Sequence, residues 1–190
     1  MGQEASSDLI MALSEQEKHD AFAILPPIFT KLIPSGFTLA DVTSEGTARY
    51  NCIAYAAKDE SQPWWPMPHG SLRYFYWPPG LPRQSVPTKE NFFRAFEGLG
   101  YKKCKSRKYN PKFERVVLYV DNNDVPTHMA RELGDGIWYS KLGNEQDIRQ
   151  HTFDAVENQI YGTAKYFMRK RLTDAWYTKW LRKLLRTGPV

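Results

Sequence analysis

The sequence predicts an α+β domain rather than an alternating α/β one. Three observations carry this. At 190 residues the chain has the length of one domain, or of one domain with an appended lobe. Helix-spaced apolar residues dominate its first part. Strand patterns then follow one another, in "ERVVLYVD", "THMAREL" and "IWYSKL", with only tight turns between them. Runs of helix followed by runs of strand favour an antiparallel sheet with helices set to its sides.

The elements read in order as follows. From about Ser7 to Leu25 the stripe Leu9, Ile10, Leu13, Ala21, Phe22 and Leu25 predicts an amphipathic helix, capped by Ser7 or Asp8 and broken by "LPPIFTKLIPSGF". A short helix is expected from Asn51 to Lys58, with Asn51 as N-cap and its alanines allowing close packing. The aromatic, proline-rich stretch 61–88 is too dense in proline for any regular helix. "KENFFRAFEGLGYKKC" restores helical spacing through Phe92, Phe93 and Phe96, ending at Gly98 or Gly100. After the three strands, the chain from about Ala164 reads as helix again, with Phe167, Trp176, Trp180 and Leu184 on one side and Lys and Arg on the other. The expected organisation is a single domain, 1–190. It has an N-terminal helical extension (1–45), a core (46–171) carrying the aromatic insertion 61–88, and a basic amphipathic C-terminal helix (172–190).

The formal net charge of +5, with acidic and basic residues interspersed, permits an anionic partner without demanding one. The basic C-terminal helix is the natural place for contact with nucleic acid or an anionic surface. Two cysteines and no secretory leader point to a reducing cytoplasm and free thiols. No stretch reaches the length of a membrane span. The opening "MGQEAS" fits the acylation pattern at Gly2, which would give at most a marginal anchor. His19, His69, His128 and His151 are scattered and no C-x-x-C occurs, so no metal or diffusible cofactor is expected.

The chemistry concentrates on Cys52 and His128. A thiol becomes a nucleophile as thiolate, and the first turn of a helix lowers its pKa through unpaired N–H groups. Cys52 directly follows the capping Asn51, so the same turn would support an oxyanion. His128, at the start of a strand, suits the base that takes the thiol proton and returns it to the leaving group. A base needs an orienter. If "GDG" makes a tight hairpin, His128 lies opposite Ser140 to Gly143, which brings Ser140 near; Asp147 and His151 are the alternatives. Trp64, Trp65, Trp77 and Trp138 are candidates for stacking on a substrate, and Lys141 for holding a substrate carboxylate or pairing with Asp147. Arg131 and Glu132 are expected to pair with each other, and Cys104 to be a loop thiol without a role.

The order of a cysteine on a helix, then a histidine and a polar residue on successive strands, resembles the papain-like cysteine hydrolases, nearest the compact NlpC-type and CHAP-type branches. More narrowly, "YNCIAYA", "THMARELGDGIWYSKLG", "DIRQH" and "YGTAKYFMRKR" resemble the signature blocks of a poorly characterised bacterial family, over roughly Tyr50 to Arg171. The resemblance implies a papain-like fold, with Cys52 as nucleophile and His128 as base in the cleavage of an amide or peptide bond. The sequence departs from the papain-like pattern in having no Asn or Glu at the obvious third place and no Gln in "TSEGTAR" upstream of the cysteine. A non-catalytic binding or toxin-associated module on the same scaffold is the alternative from another class.

Overall fold

The structure, a computed structural model, describes residues 14–70 and 74–172. Its centre is a six-stranded, wholly antiparallel sheet in the order β1-β6-β2-β3-β4-β5. The strands are β1 (Lys102–Cys104), β2 (Phe113–Val120), β3 (Pro126–Glu132), β4 (Trp138–Lys141), β5 (Asp147–Gln150) and β6 (Thr163–Arg171). The α+β class is therefore as expected. β2, β3 and β4 fall where the alternation placed them, and the β3–β4 hairpin sets Ala130 against Ser140 and Glu132 against Trp138.

One long element differs. Residues 163–171, expected as the start of a helix, form a strand inserted between β1 and β2. Lys, Arg and Met favour helix only weakly, and pairing along both edges of β6 overrides that preference while burying Ala164, Phe167 and Met168. The expected helix over 172–190, with its nucleic-acid role and its residues Trp176, Trp180 and Leu184, lies outside the described residues apart from Leu172.

Three helices cover the sheet. In α1 (Glu15–Ile28) the cap is Ser14, in a reciprocal pair with Glu17, and the expected caps Ser7 and Asp8 lie outside the described residues. The helix runs on through Pro26 and Pro27 in its last turn, leaving at Phe29, whose N–H still reaches Leu25 at 2.9 Å. Helix α2 (Cys52–Ala56) stands behind its expected cap Asn51, and helix α3 (Lys89–Gly98) where the Phe92, Phe93 and Phe96 spacing placed it, behind Thr88.

Strand alternation divides the core in two. On one face α2 and α3 pack Ile53, Phe92 and Phe96 against Val116, Leu118, Met129 and Met168. On the other, α1 and the segment after it set Leu25, Phe29 and Leu32 with Val117, Tyr119, Ala130, Trp138 and Phe167. Alternation also separates Arg131 from Glu132, which do not pair as expected. Arg131 lies 3.8 Å over the Tyr55 ring and reaches Glu60 at 3.6 Å, while Glu132 takes the Arg115 guanidinium at 2.7 Å on the other side.

The 61–88 stretch folds as a lobe that packs its own rings. Trp64 and Trp77 are buried, Trp65 is half-buried, and both Trp65 and Trp77 meet Phe92 edge-on at 5.5 Å. Trp64 and Trp77, candidates for substrate stacking, are core residues here. Their faces are taken up by neighbours, because a large apolar ring gains most when its whole surface leaves water. Trp138 is likewise buried, against Phe153, Phe167 and the Arg115 guanidinium.

Candidate active site

Asn51 makes the cap that positions Cys52. Its Oδ1 accepts from Ala54 N at 3.1 Å and from Trp64 N at 3.0 Å, and its Nδ2 donates to the Trp64 carbonyl at 2.8 Å. The cap thus ties the first turn of α2 to the aromatic lobe. Cys52 opens the helix, with its sulfur turned to β3, on which α2 packs. Burial pushes the thiol up to about 11, against the backbone N–H groups of Met129, Ile53 and Cys52 itself and the Lys141 cation, all of which favour the thiolate. Met129 follows His128 directly. Met129 lies outside the β3–β4 ladder, which covers Ala130 to Glu132, and pairs with Leu118 of β2 on its other edge.

His128 is fully buried. Its Nε2 lies 3.2 Å from Ser140 Oγ, whereas Nδ1 is buried without a hydrogen-bond partner among the described residues. The ring is held between two tyrosines: Tyr161 stacks on it at 4.1 Å, nearly parallel, and Tyr119, its register partner on β2, meets it edge-on at 5.0 Å. Burial alone pushes the imidazole down to about 3, so it is neutral at pH 7. A buried polar atom without a partner is costly, so the bare Nδ1 is the least expected feature of the core.

Cys52 and His128 approach the same end of β3 from different sides. Met129 faces α2, and His128, with Tyr119, faces α1. The thiol meets β3 at the part of the strand that β4 leaves unpaired. A negative charge on its sulfur acts on both tyrosines that clamp His128. Cys52 is 8% exposed and His128 0%, so both groups are closed off from bulk water.

The three candidate orienters separate cleanly. Ser140 is the one at His128. Asp147 instead accepts the Tyr50 hydroxyl at 2.5 Å and leaves Oδ1 bare, while His151 bonds Asp41 at 3.3 Å. Asp147 and Lys141 are register partners across β4 and β5, on the Cys52 side of the sheet. Lys141 is fully buried, donates to the Glu145 carbonyl, and has its pKa lowered by burial against the pull of Asp147, Glu145 and Cys52. Burial raises the Asp147 carboxyl, against the Tyr50 hydrogen bond and Lys141. Among the described residues no group of His, Cys, Asp and Glu has the geometry to hold a metal.

Sequence reasoning missed Tyr161, Tyr119, Tyr50 and the Met129 amide. Tyr119 was readable in principle, since alternation along "VVLYVD" puts it on one face with a paired His128. Tyr161 was not, because its place depends on a turn far along the chain. In that turn Asn158 Oδ1 accepts from Ile160 N and Tyr161 N at 2.9 and 2.7 Å, and Gly162 closes it at φ +72°.

Residues 41–169 match a family described as "Domain of unknown function (DUF7689)". The match takes in more than half of the chain, which therefore belongs to that family. No curated protein and no solved structure matches. The matched span contains Cys52, His128, Ser140 and Tyr161 and begins after α1. No helix among the described residues is long and apolar enough to cross a membrane, and Cys52 and Cys104 are both free thiols.

Proposed function

We propose that the chain is a thiol hydrolase of papain-like design, acting on an amide or peptide bond in a peptide, protein or smaller amide. The observation that carries this reading is the state of His128: one ring nitrogen is oriented by Ser140, the other is bare, and the adjoining Met129 amide serves the Cys52 sulfur. A histidine kept only for packing would be cheaper as an apolar residue of similar volume, since Nδ1 loses its water and gains nothing.

In this reading the resting thiol and imidazole are both neutral, because burial disfavours both charges, and they meet only when the bound substrate displaces the end of β3 that separates them. As the sulfur attacks the carbonyl carbon, the S–H proton then passes to Nδ1 and the carbonyl π pair moves onto oxygen. The first-turn N–H groups of Cys52 and Ile53 bind that oxyanion, and Lys141 adds a cation nearby. Collapse breaks the C–N bond, and the imidazolium gives its proton to the departing amine. Water, deprotonated by the same imidazole, then releases the acyl group from sulfur. Ser140 acts as a positioning residue that fixes the ring through Nε2. The substrate reaches the sulfur by displacing neighbours, with the Tyr161 turn as the cover over His128.

The test is an electrophilic amide probe read by intact mass, with Cys52→Ala and His128→Leu as comparisons. Labelling at Cys52 that depends on His128 supports the hydrolase. Burial of both groups and their approach from different sides of β3 favour a second reading, a non-catalytic module whose Cys52 and His128 are core residues. That reading expects Cys52 to be as unreactive with His128 as without it.

A further inference from the structure

At the far end of the sheet from Cys52, the register lines up three cations. Lys102 of β1 stands directly opposite Arg169 of β6, which stands directly opposite Arg115 of β2. Like charges in directly opposed positions destabilise a sheet, so such a row calls for a compensating anion. Glu132, next in the row beyond Arg115, does not supply it for the others. Its Oε2 is taken by Arg115 Nε at 2.7 Å and its Oε1 by the Gly134 and Gly136 amides at 2.7 and 3.0 Å. Arg169 and Lys108 make no ion pair with any described residue.

Arg115 and Arg169 of that row, with Lys108, Ser106 and Asn110 among others, line a cavity of about 260 Å³; Lys102 lies outside it. Its two guanidinium groups are held in place without a ligand. The Arg169 guanidinium lies 4.5 Å over the Phe113 ring, which leaves its N–H edge free to donate. Arg115 is fixed by Glu132 and by the Arg107 and Lys108 carbonyls at 2.9 and 3.0 Å. Tyr109 Oη ties the covering loop to the Gly134 carbonyl at 2.9 Å. Two uncompensated cations, a fixed guanidinium and the Ser106 and Asn110 side chains converge on one concave site. Planar N–H forks beside hydroxyl and amide donors are the groups that recognise a tetrahedral oxyanion.

We propose that this pocket binds a phosphoryl group, carried either by a small phosphoester or by the backbone of a nucleic-acid strand. The site lies apart from Cys52 and does not depend on the hydrolase reading. The test is thermal unfolding of the full chain in inorganic phosphate and pyrophosphate against chloride at matched ionic strength. Arg169→Gln and Lys108→Gln proteins are measured alongside, together with binding of a labelled single-stranded oligonucleotide over a salt series. The expected result is a phosphate-specific rise in Tm that saturates and is reduced or lost in the substituted proteins. If the source is nucleic acid, the oligonucleotide binds more tightly than pyrophosphate, and each removed cation lowers the log–log salt slope by about 0.7. If it is a small phosphoester, pyrophosphate binds as well as or better than the oligonucleotide. Should Arg169→Gln fail to fold in chloride, Lys108→Gln carries the comparison. Absence of binding by all three anions, or binding undiminished in both substituted proteins, overturns the proposal.

Discussion

Two regions of the sheet are built on different terms. The patch under α3 is lined by Phe92, Phe96, Val116, Leu118 and Met168, apolar groups with no polar atom to satisfy, whereas further along the same face, beside Cys52, Lys141, Asp147 and Arg131 are buried and Arg131 Nε and Asp147 Oδ1 go without partners among the described residues. The face under α1 includes the same kind of packing around Leu25 and Leu32, but at its centre it also buries His128, Ser140 and Gln150. There, His128 Nδ1 and Gln150 Oε1 go without partners among the described residues. Unsatisfied polar atoms thus gather at one end of the sheet on both of its faces, around Cys52 on one and around His128 on the other, and the side chains lining the patch under α3 have none.

That contrast gives an order of expected effects. The largest is on chemistry. Cys52→Ala should lower any amide-cleaving turnover by at least about 10³-fold, since the nucleophile acts as a unit with its base. It should leave a folded protein, because the change removes only one sulfur from the core; steady-state assays beside circular dichroism check both. In the apolar patch, Phe96→Ala should cost about 3–5 kcal/mol of stability, measured by denaturant unfolding. In the polar region, His128→Leu combined with Ser140→Ala should change stability by less than about 1.5 kcal/mol, because both polar partners leave together. Equal losses in the two regions would erase the distinction drawn here.

The pH response sharpens it further. His128 is pushed down to about 3 by burial, below its ordinary value of 6.5. Between those values the unfolded chain binds the proton and the folded one does not, so stability is present above pH 6.5 and is lost as pH falls toward 3. His128→Leu should flatten that acid limb, read as Tm against pH. A further effect concerns the turn that covers the ring. A Cβ at Gly162 would stand 2.0 Å from the Val120 carbonyl oxygen, in a backbone already at φ +72°. Gly162→Ala should therefore cost about 1–3 kcal/mol and loosen Tyr161 from the imidazole, detectable as faster thiol labelling.

How much of this was legible beforehand follows from where the signal lies. Helices α2 and α3 were readable because Asn51 caps the first and Phe92, Phe93 and Phe96 recur at helical spacing in the second, both local signals. Strands β2 to β4 were readable because alternation and the "GDG" turn are short-range features. Ser140 beside His128 followed from hairpin geometry, although Asp147 and His151 stayed open until their partners Tyr50 and Asp41 were known. Strand β6 was missed because its lysines and arginines lie on residues facing solvent, so its alternation is broken by Tyr166 and Met168 and its pairing with β1 is remote in sequence. The burial of Trp77 depended on Phe92, which no local pattern links to it.

The pairing of Cys52 with His128 is tested most directly by the rate at which a chloroacetamide probe labels Cys52 at pH 7, in the native protein and in His128→Leu, with Cys104 as the internal reference thiol. If the imidazole takes the thiol proton, the substitution should slow Cys52 labelling by about 10² or more while Cys104 reacts unchanged. Equal rates at Cys52 in both proteins would contradict the pairing.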